Sequence, residues 1–137
     1  MGTARTLSKK QVVDLISKRE SLAEVDIRGL DLTGVNFDGA NLTHAKLAEC
    51  NLTRASFRGT DLRFASLWHS ECKDAIFDSA NLEEADLDYA NLDGCTFRNA
   101  KIRKAIFPLS KLPLADIQAS VRTGRKVKMD KGRLDED

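Results

Sequence analysis

The sequence predicts an all-β solenoid of about four turns with a short capping helix at each end. Three observations carry this. A five-residue period runs without a break from Val25 to Phe107, about seventeen repeats. A twenty-residue period is superimposed on it, marked by Phe37, Phe57, Phe77 and Phe97. Charges of opposite sign recur at that same longer spacing.

In each five, a small residue stands two positions before a large apolar one, as in Ala45 and Leu47, Ala65 and Leu67, or Ala85 and Leu87. Between them is usually Asp or Asn. Five is neither a helical period nor a strand alternation. It demands a chain that turns a corner every five residues, with the small and large residues inward and the other three outward. One repeat cannot bury its apolar pair alone, so repeats must stack. Gly29, Gly34, Gly39, Gly59 and Gly94 all take the last position of a repeat, which is the corner.

The phenylalanine spacing sets four repeats per turn. Phe37, Phe57, Phe77 and Phe97 then form one column in the core. Coils about 4.8 Å apart suit stacked or offset rings. Asp38, Arg58, Asp78 and Arg98 fall on one side of the coil, and Arg63, Glu83 and Arg103 on another, with signs alternating vertically. Each exposed pair contributes roughly 0–1 kcal/mol, but as register marks they agree with the rings.

The elements follow in order. Residues 1–7 read as a disordered N-terminus. Met1–Thr6 fits the loose N-myristoylation pattern, and Gly2 fits a cloning remnant equally. Residues 8–20 read as an N-terminal capping helix: Ser8 and Gln11 have capping-box spacing, and Val12, Leu15 and Ile16 make one apolar stripe. Such a helix would cover the open end of the first coil. The coil spans 21–112. Residues 113–124 read as a second helix, with Pro113 at its first turn, Leu114, Ile117 and Val121 on one face, and Gly124 as terminator. Residues 125–137 read as a charged, disordered tail, and the cluster Arg122, Arg125, Lys126 and Lys128 as solvated rather than as a nucleic-acid or lipid site.

The repeat resembles that of the pentapeptide-repeat family, A-(D/N)-L-x-x, over Val25 to Phe107. The resemblance implies a right-handed quadrilateral β-helix with four repeats per turn and a packed interior. The sequence departs from the pattern at Ser70-Glu71-Cys72, where Cys takes the central position, and at Ile76 and Ile106 in place of Asp or Asn. A thinner core near Cys72 and local irregularity are the expected consequences.

Bulk composition suits one soluble domain: 137 residues, formal net charge +1, 42% apolar. No apolar run is long enough to span a membrane and no secretory signal is visible. Cys50, Cys72 and Cys95 all fall on inward positions, which reads as reduced, buried thiols and a cytoplasmic location, with a Cys50–Cys72 bridge as the alternative.

Nothing in the chain has the signature of an enzyme. The two histidines, His44 and His69, stand at outward positions outside any Ser/His/Asp or Cys/His arrangement. No metal-ligand spacing or phosphate-cradling loop appears, so no catalytic residue, metal or cofactor is expected. Glu83, Glu84, Asp86 and Asp88 read as a solvated face. The sequons at Asn41 and Asn51 are products of the repeat itself.

One outward patch stands apart. Phe64, Trp68, His69 and Tyr89 converge around one side, with Pro108 and Leu109 continuing the columns and Glu49 and Asp88 flanking them. Aromatic residues of this kind are enriched where proteins bind proteins, so the patch reads as the surface for a protein partner or a second copy. Family resemblance leaves open a homodimer through Leu109, Leu112 and Leu114. The function expected is a non-catalytic interaction scaffold. The resemblance extends to larger adaptors that carry such repeats as one module, so the chain reads as a stand-alone protein, as one such module, or as a spacer. The alternative is a DNA-mimicking inhibitor of a type II topoisomerase (DNA gyrase), as in quinolone-resistance members of the family. Mimicry needs a strongly negative rod. Residues 71–93 carry eight acids against Lys73 alone, but Arg54, Arg58, Arg63, Arg98, Arg103 and Lys104 flank them, and the coil is only about 20 Å long. Direct nucleic-acid binding is not expected.

Overall fold

The structure, a computed structural model, describes residues 5–129. Its element order is β1 (Arg5–Thr6), α1 (Lys9–Ser17), β2 (Val25–Asp26) and α2 (Leu114–Thr123). Between β2 and α2 the chain winds as a four-sided coil. Parallel bridges join every fifth residue to the one twenty further on, from Asp26↔Lys46 to Asp86↔Ile106. Most sides contribute one bridged residue and no longer strand, because the corners consume the rest of each five.

Every fifth residue from Glu24 to Lys104 has positive φ, glycine or not. At each corner the carbonyl of the large residue accepts from the amide three residues on, as in Leu42 O from Ala45 N at 3.0 Å, with His44 at φ 59° between them. That is the geometry of a type II turn. The Asp or Asn before each large residue has a matching role. Its Oδ1 accepts from the amide two residues later, over 2.8–3.3 Å, at Asp26, Asn36, Asn41, Asp61, Asn81 and Asp86 among others. The repeat therefore encodes its turns locally, and the inward pair binds coil to coil.

The phenylalanine column stands as expected. Centroids of Phe37, Phe57, Phe77 and Phe97 lie 4.9, 5.0 and 5.2 Å apart, within 5° of parallel, and all four rings are buried. Phe107 closes the column edge-on at 5.9 Å. The expected irregularity near Cys72 does not occur. Ladders run through Glu71 and Ile76 without interruption, because Cys72 keeps the inward geometry and the thiol is fully buried beside Ser70 Oγ at 3.2 Å. All three cysteines are free and buried, so no Cys50–Cys72 bridge forms. Polar atoms at inward positions donate to carbonyls one coil below: Cys50 Sγ to Ile27 O, Thr60 Oγ1 to Phe37 O, Cys95 Sγ to Cys72 O.

The vertical charge pairs are realised only in part. Arg103 meets Glu83 at 3.3 Å. Arg63 instead forks onto Asp61 of its own repeat. On the phenylalanine side, Asp38 and Asp78 accept from the backbone amides of Arg58 and Arg98, at 2.9 and 3.1 Å. A short aspartate reaches the coil above at its main chain before it reaches the guanidinium.

The segments outside the two helices depart from expectation. Arg5–Thr6 is a strand, not disordered chain: it pairs parallel with Val25–Asp26, because the lower edge of the first coil offers unpaired backbone there. Residues 1–4, with most of the myristoylation pattern, lie outside the described residues. The helix α1 is capped by Ser8 and Gln11 reciprocally and leaves through a Schellman arrangement. There Glu20 N donates to Leu15 O and Arg19 N to Ile16 O, with Arg19 at φ 57°. At the other end, Ser120 Oγ and Val121 O of α2 accept from Phe97 N and Asn99 N, at 2.9 Å each. Residues 125–129 are not a free tail. Val127 is buried on the coil's upper edge, where its carbonyl accepts from Gly94 N at 2.8 Å and its amide donates to Cys95 O at 2.9 Å. Residues 130–137 lie outside the described residues.

Candidate protein-interaction face

The four sides of the coil are not alike. One side carries the repeats centred on Leu47, Leu67, Leu87 and Phe107, and its outward positions include Trp68, Asp86, Asp88 and Ile106. Its two bordering corner columns carry His44 and Phe64, and then Glu49, His69, Tyr89 and Leu109. Here Phe64 is 48% exposed, Trp68 39%, Tyr89 66%, Ile106 50% and Leu109 53%.

The rings are in mutual contact. Phe64 stacks on His44 at 4.8 Å and 7°. Tyr89 stacks over His69 at 5.8 Å. Trp68 lies 4.7 Å from His69 and meets Tyr89 edge-on at 6.1 Å. All four residues expected to form the patch are therefore on the surface, three of them in one cluster and Phe64 at the adjacent corner. Pro108 is buried rather than displayed, because the chain leaves the coil there and folds back. Leu112 is also buried, which removes it from any surface shared with a second copy.

Phe64, His69 and Tyr89 sit at φ 61°, 59° and 60°. A left-handed backbone costs an L-residue roughly 1–2 kcal/mol and glycine nothing. Five corners of the same coil use glycine. Bulky aromatics at such corners are poor choices for folding, and the geometry aims them outward.

Two residues missed by sequence reasoning complete the face. Ile106 bridges to Asp86 directly below it in the ladder, and it occupies a repeat position that is polar in every other repeat except at Ile76. That substitution was the available signal. Asp86 is the second: its carboxylate is held by Asp88 N at 2.9 Å, and that of Asp88 by Tyr89 N at 3.0 Å.

The rest of the surface is less suggestive. A shallow groove of about 590 Å³ lies where α1 exits beneath Asn36 and Asp38. Among the described residues, no group of three His, Cys, Asp or Glu side chains is placed to hold a metal ion. Burial pushes the Cys50 thiol to about 11 and that of Cys72 to about 12, opposite to what a nucleophile requires. No helix among the described residues is long and apolar enough to cross a membrane.

The architecture defines a class of protein: a parallel β-solenoid built from five-residue sides. The family model described as "Pentapeptide repeat region" matches residues 21–112. The chain belongs to the pentapeptide-repeat family, and the coil is a right-handed β-helix. No curated protein gives a match. Among solved structures, a pentapeptide repeat protein from Nostoc PCC 7120 is similar at 28% identity and TM-score 0.67, over 80% of this chain and 94% of that one. One from the thylakoid lumen of Arabidopsis thaliana is 31% identical with TM-score 0.58, over 58% of this chain and 55% of that one. HetL, from the same Nostoc strain and involved in heterocyst differentiation regulation, is 33% identical with TM-score 0.57 over 66% of this chain. The chain spans about half the length of the Arabidopsis protein (55%) and 44% of HetL.

Proposed function

We propose that this chain is a non-catalytic protein-interaction scaffold whose contact surface is the Phe64–Trp68–His69–Tyr89 corner. The observation that carries the reading is the placement of large aromatic side chains, exposed, at left-handed corners where glycine would be relaxed. The coil supplies rigidity, so the rings are pre-ordered and binding costs little conformational entropy. Similarity to HetL, a pentapeptide repeat protein involved in heterocyst differentiation regulation, is in keeping with a partner-binding role. Three buried free thiols favour a reducing compartment such as the cytoplasm. DNA mimicry is the weaker reading: arginines 58, 98 and 103 interleave with the acids instead of leaving a continuous negative rod.

The test is capture from cell extract with the wild type beside a Phe64/Trp68/Tyr89 triple alanine variant, both checked by circular dichroism. A protein retained by the first and lost by the second supports the scaffold reading. Identical capture by both removes the corner from the function.

A further inference from the structure

The coil already contains two worked examples of how it binds a guanidinium. Arg28 donates Nε to Asp26 Oδ1 at 2.8 Å and Nη2 to Oδ2 at 2.6 Å. Arg63 does the same to Asp61 at 2.9 and 2.7 Å. In each, the aspartate precedes the large core residue, and the arginine follows it. The two-residue step across the outward side brings the fork onto the carboxylate in bidentate fashion.

Asp86 occupies the same repeat position as these two aspartates and the same column as Asp26, linked to it by the bridges Asp26↔Lys46, Lys46↔Ser66 and Ser66↔Asp86. Where its own arginine would stand, the chain has Asp88. The site thus keeps the carboxylate seat, omits the cation and adds a second carboxylate. Both carboxylates are oriented by backbone amides through Oδ1 alone. Among the described residues neither is in an ion pair. Trp68 lies one coil below Asp88, Tyr89 is its chain neighbour, and Ile106 lies one coil beyond Asp86. The nearest cations in these columns are Lys46, two coils below Asp86, and Lys104, beside Glu84 on the neighbouring corner.

We infer that this face takes an arginine-bearing segment of a protein partner, its guanidinium seated on Asp86 and Asp88 and stacked against Trp68 and Tyr89. The inference rests on the scaffold reading and names the partner's chemistry. An arginine matches it better than a lysine: the planar fork satisfies a carboxylate bidentately and lies flat on an aromatic ring. Ile106 and Leu109 offer an apolar ledge for a neighbouring side chain of the segment.

The test selects peptides from an unbiased phage-displayed dodecapeptide library on the intact chain, then titrates the synthetic enriched peptide. Trp68 is the single tryptophan, so its emission reports occupancy at the face directly. Three variants accompany the wild type. D86N removes charge while keeping the amide acceptor that Asn already supplies at Asn36, Asn81 and Asn91. D88R rebuilds the Asp26–Arg28 pair within the chain and fills the seat. Y89N removes a ring and suits a left-handed corner. The expected result is enrichment of arginine, a shift in Trp68 emission on binding, and at least tenfold weaker binding in each variant. Affinity should also fall between 50 and 200 mM salt. If Y89N loses binding but D86N and D88R do not, or if enriched peptides lack arginine, the surface stands and the arginine inference is overturned. If no peptide is selected, or Y89N binds as wild type does, both readings fail. A concentration-dependent dimer in sedimentation, abolished by Y89N, would give the face to a second copy and overturn the inference as well.

Discussion

Phe77→Ala is the sharpest perturbation of the core. The ring is fully buried and sandwiched between Phe57 at 5.0 Å and Phe97 at 5.2 Å. Truncation removes the transfer free energy of the ring and leaves a cavity that a bonded ladder on every side cannot close. Phenylalanine to alanine in a core costs about 3–5 kcal/mol, and the two aromatic contacts contribute about 0.5–1.5 kcal/mol each within that total. Since a domain of this size is stable by about 5–15 kcal/mol, the variant should fold but lose a large share of its stability. Phe77→Leu restores the residue most repeats use at this position and should cost less than about 1.5 kcal/mol. Phe37→Ala, with one ring neighbour in the column, should fall toward the lower end of the alanine range. Urea unfolding followed by Trp68 emission and by circular dichroism measures all three. A loss below about 1 kcal/mol for Phe77→Ala, or an equal loss for alanine and leucine, would refute the stacked-ring core.

Corner chemistry gives a second prediction. A Cβ on Gly94 would run into the Asp74 carboxylate at φ 80°, whereas Gly59 has nothing within 4 Å. Gly94→Ala should cost about 1–3 kcal/mol and Gly59→Asn less than about 0.5 kcal/mol, read from the same unfolding curves. The three thiols should resist Ellman's reagent in the native state and react fully in denaturant. Burial raises the pKa of Cys50 and Cys72 to about 11 and 12. A raised folded pKa favours the protonated native form, so stability holds below the unfolded thiol value near 8.5 and declines as pH climbs from there toward 11–12; a flat alkaline limb would contradict it. The acid limb has the opposite sign. The side-chain hydrogen bonds of Arg28 and Arg63 hold Asp26 and Asp61 below the ordinary carboxylate value. Their stabilisation is present above about pH 4 and lost as pH falls through the lowered folded values, so Asp61→Asn should flatten that limb in a pH series of melting temperatures.

The coil was legible because each repeat meets the same environment. Periods of five and twenty follow from the corner and the closed turn, so the positions of Phe57, Leu67 and Ala85 could be read without coordinates. The segments that flank the two helices were not legible. Val127 and Arg5–Thr6 pack onto unpaired backbone at the coil's edges, and an edge attracts chain through main-chain groups that leave no side-chain pattern. For the same reason Ser120, which caps Phe97 N, carried no signal. The charge columns misled in part because residue spacing alone ignores side-chain reach: Asp38 finds an amide one coil up, and Arg63 finds Asp61 in its own repeat. In the candidate face, the aromatic columns were readable from spacing. Burial of Pro108 was not, since it depends on where the chain leaves the ladder.

Photo-cross-linking tests most directly whether the aromatic face is where a partner docks. Benzoylphenylalanine would be placed at Tyr89 and, on the opposite side of the coil, at exposed Arg58, and irradiated in cell extract. A discrete adduct at position 89, absent at 58 and suppressed by Trp68→Ala, is the expected result. Equal adducts at both positions, or an adduct at 58 alone, would place the partner elsewhere and contradict the reading.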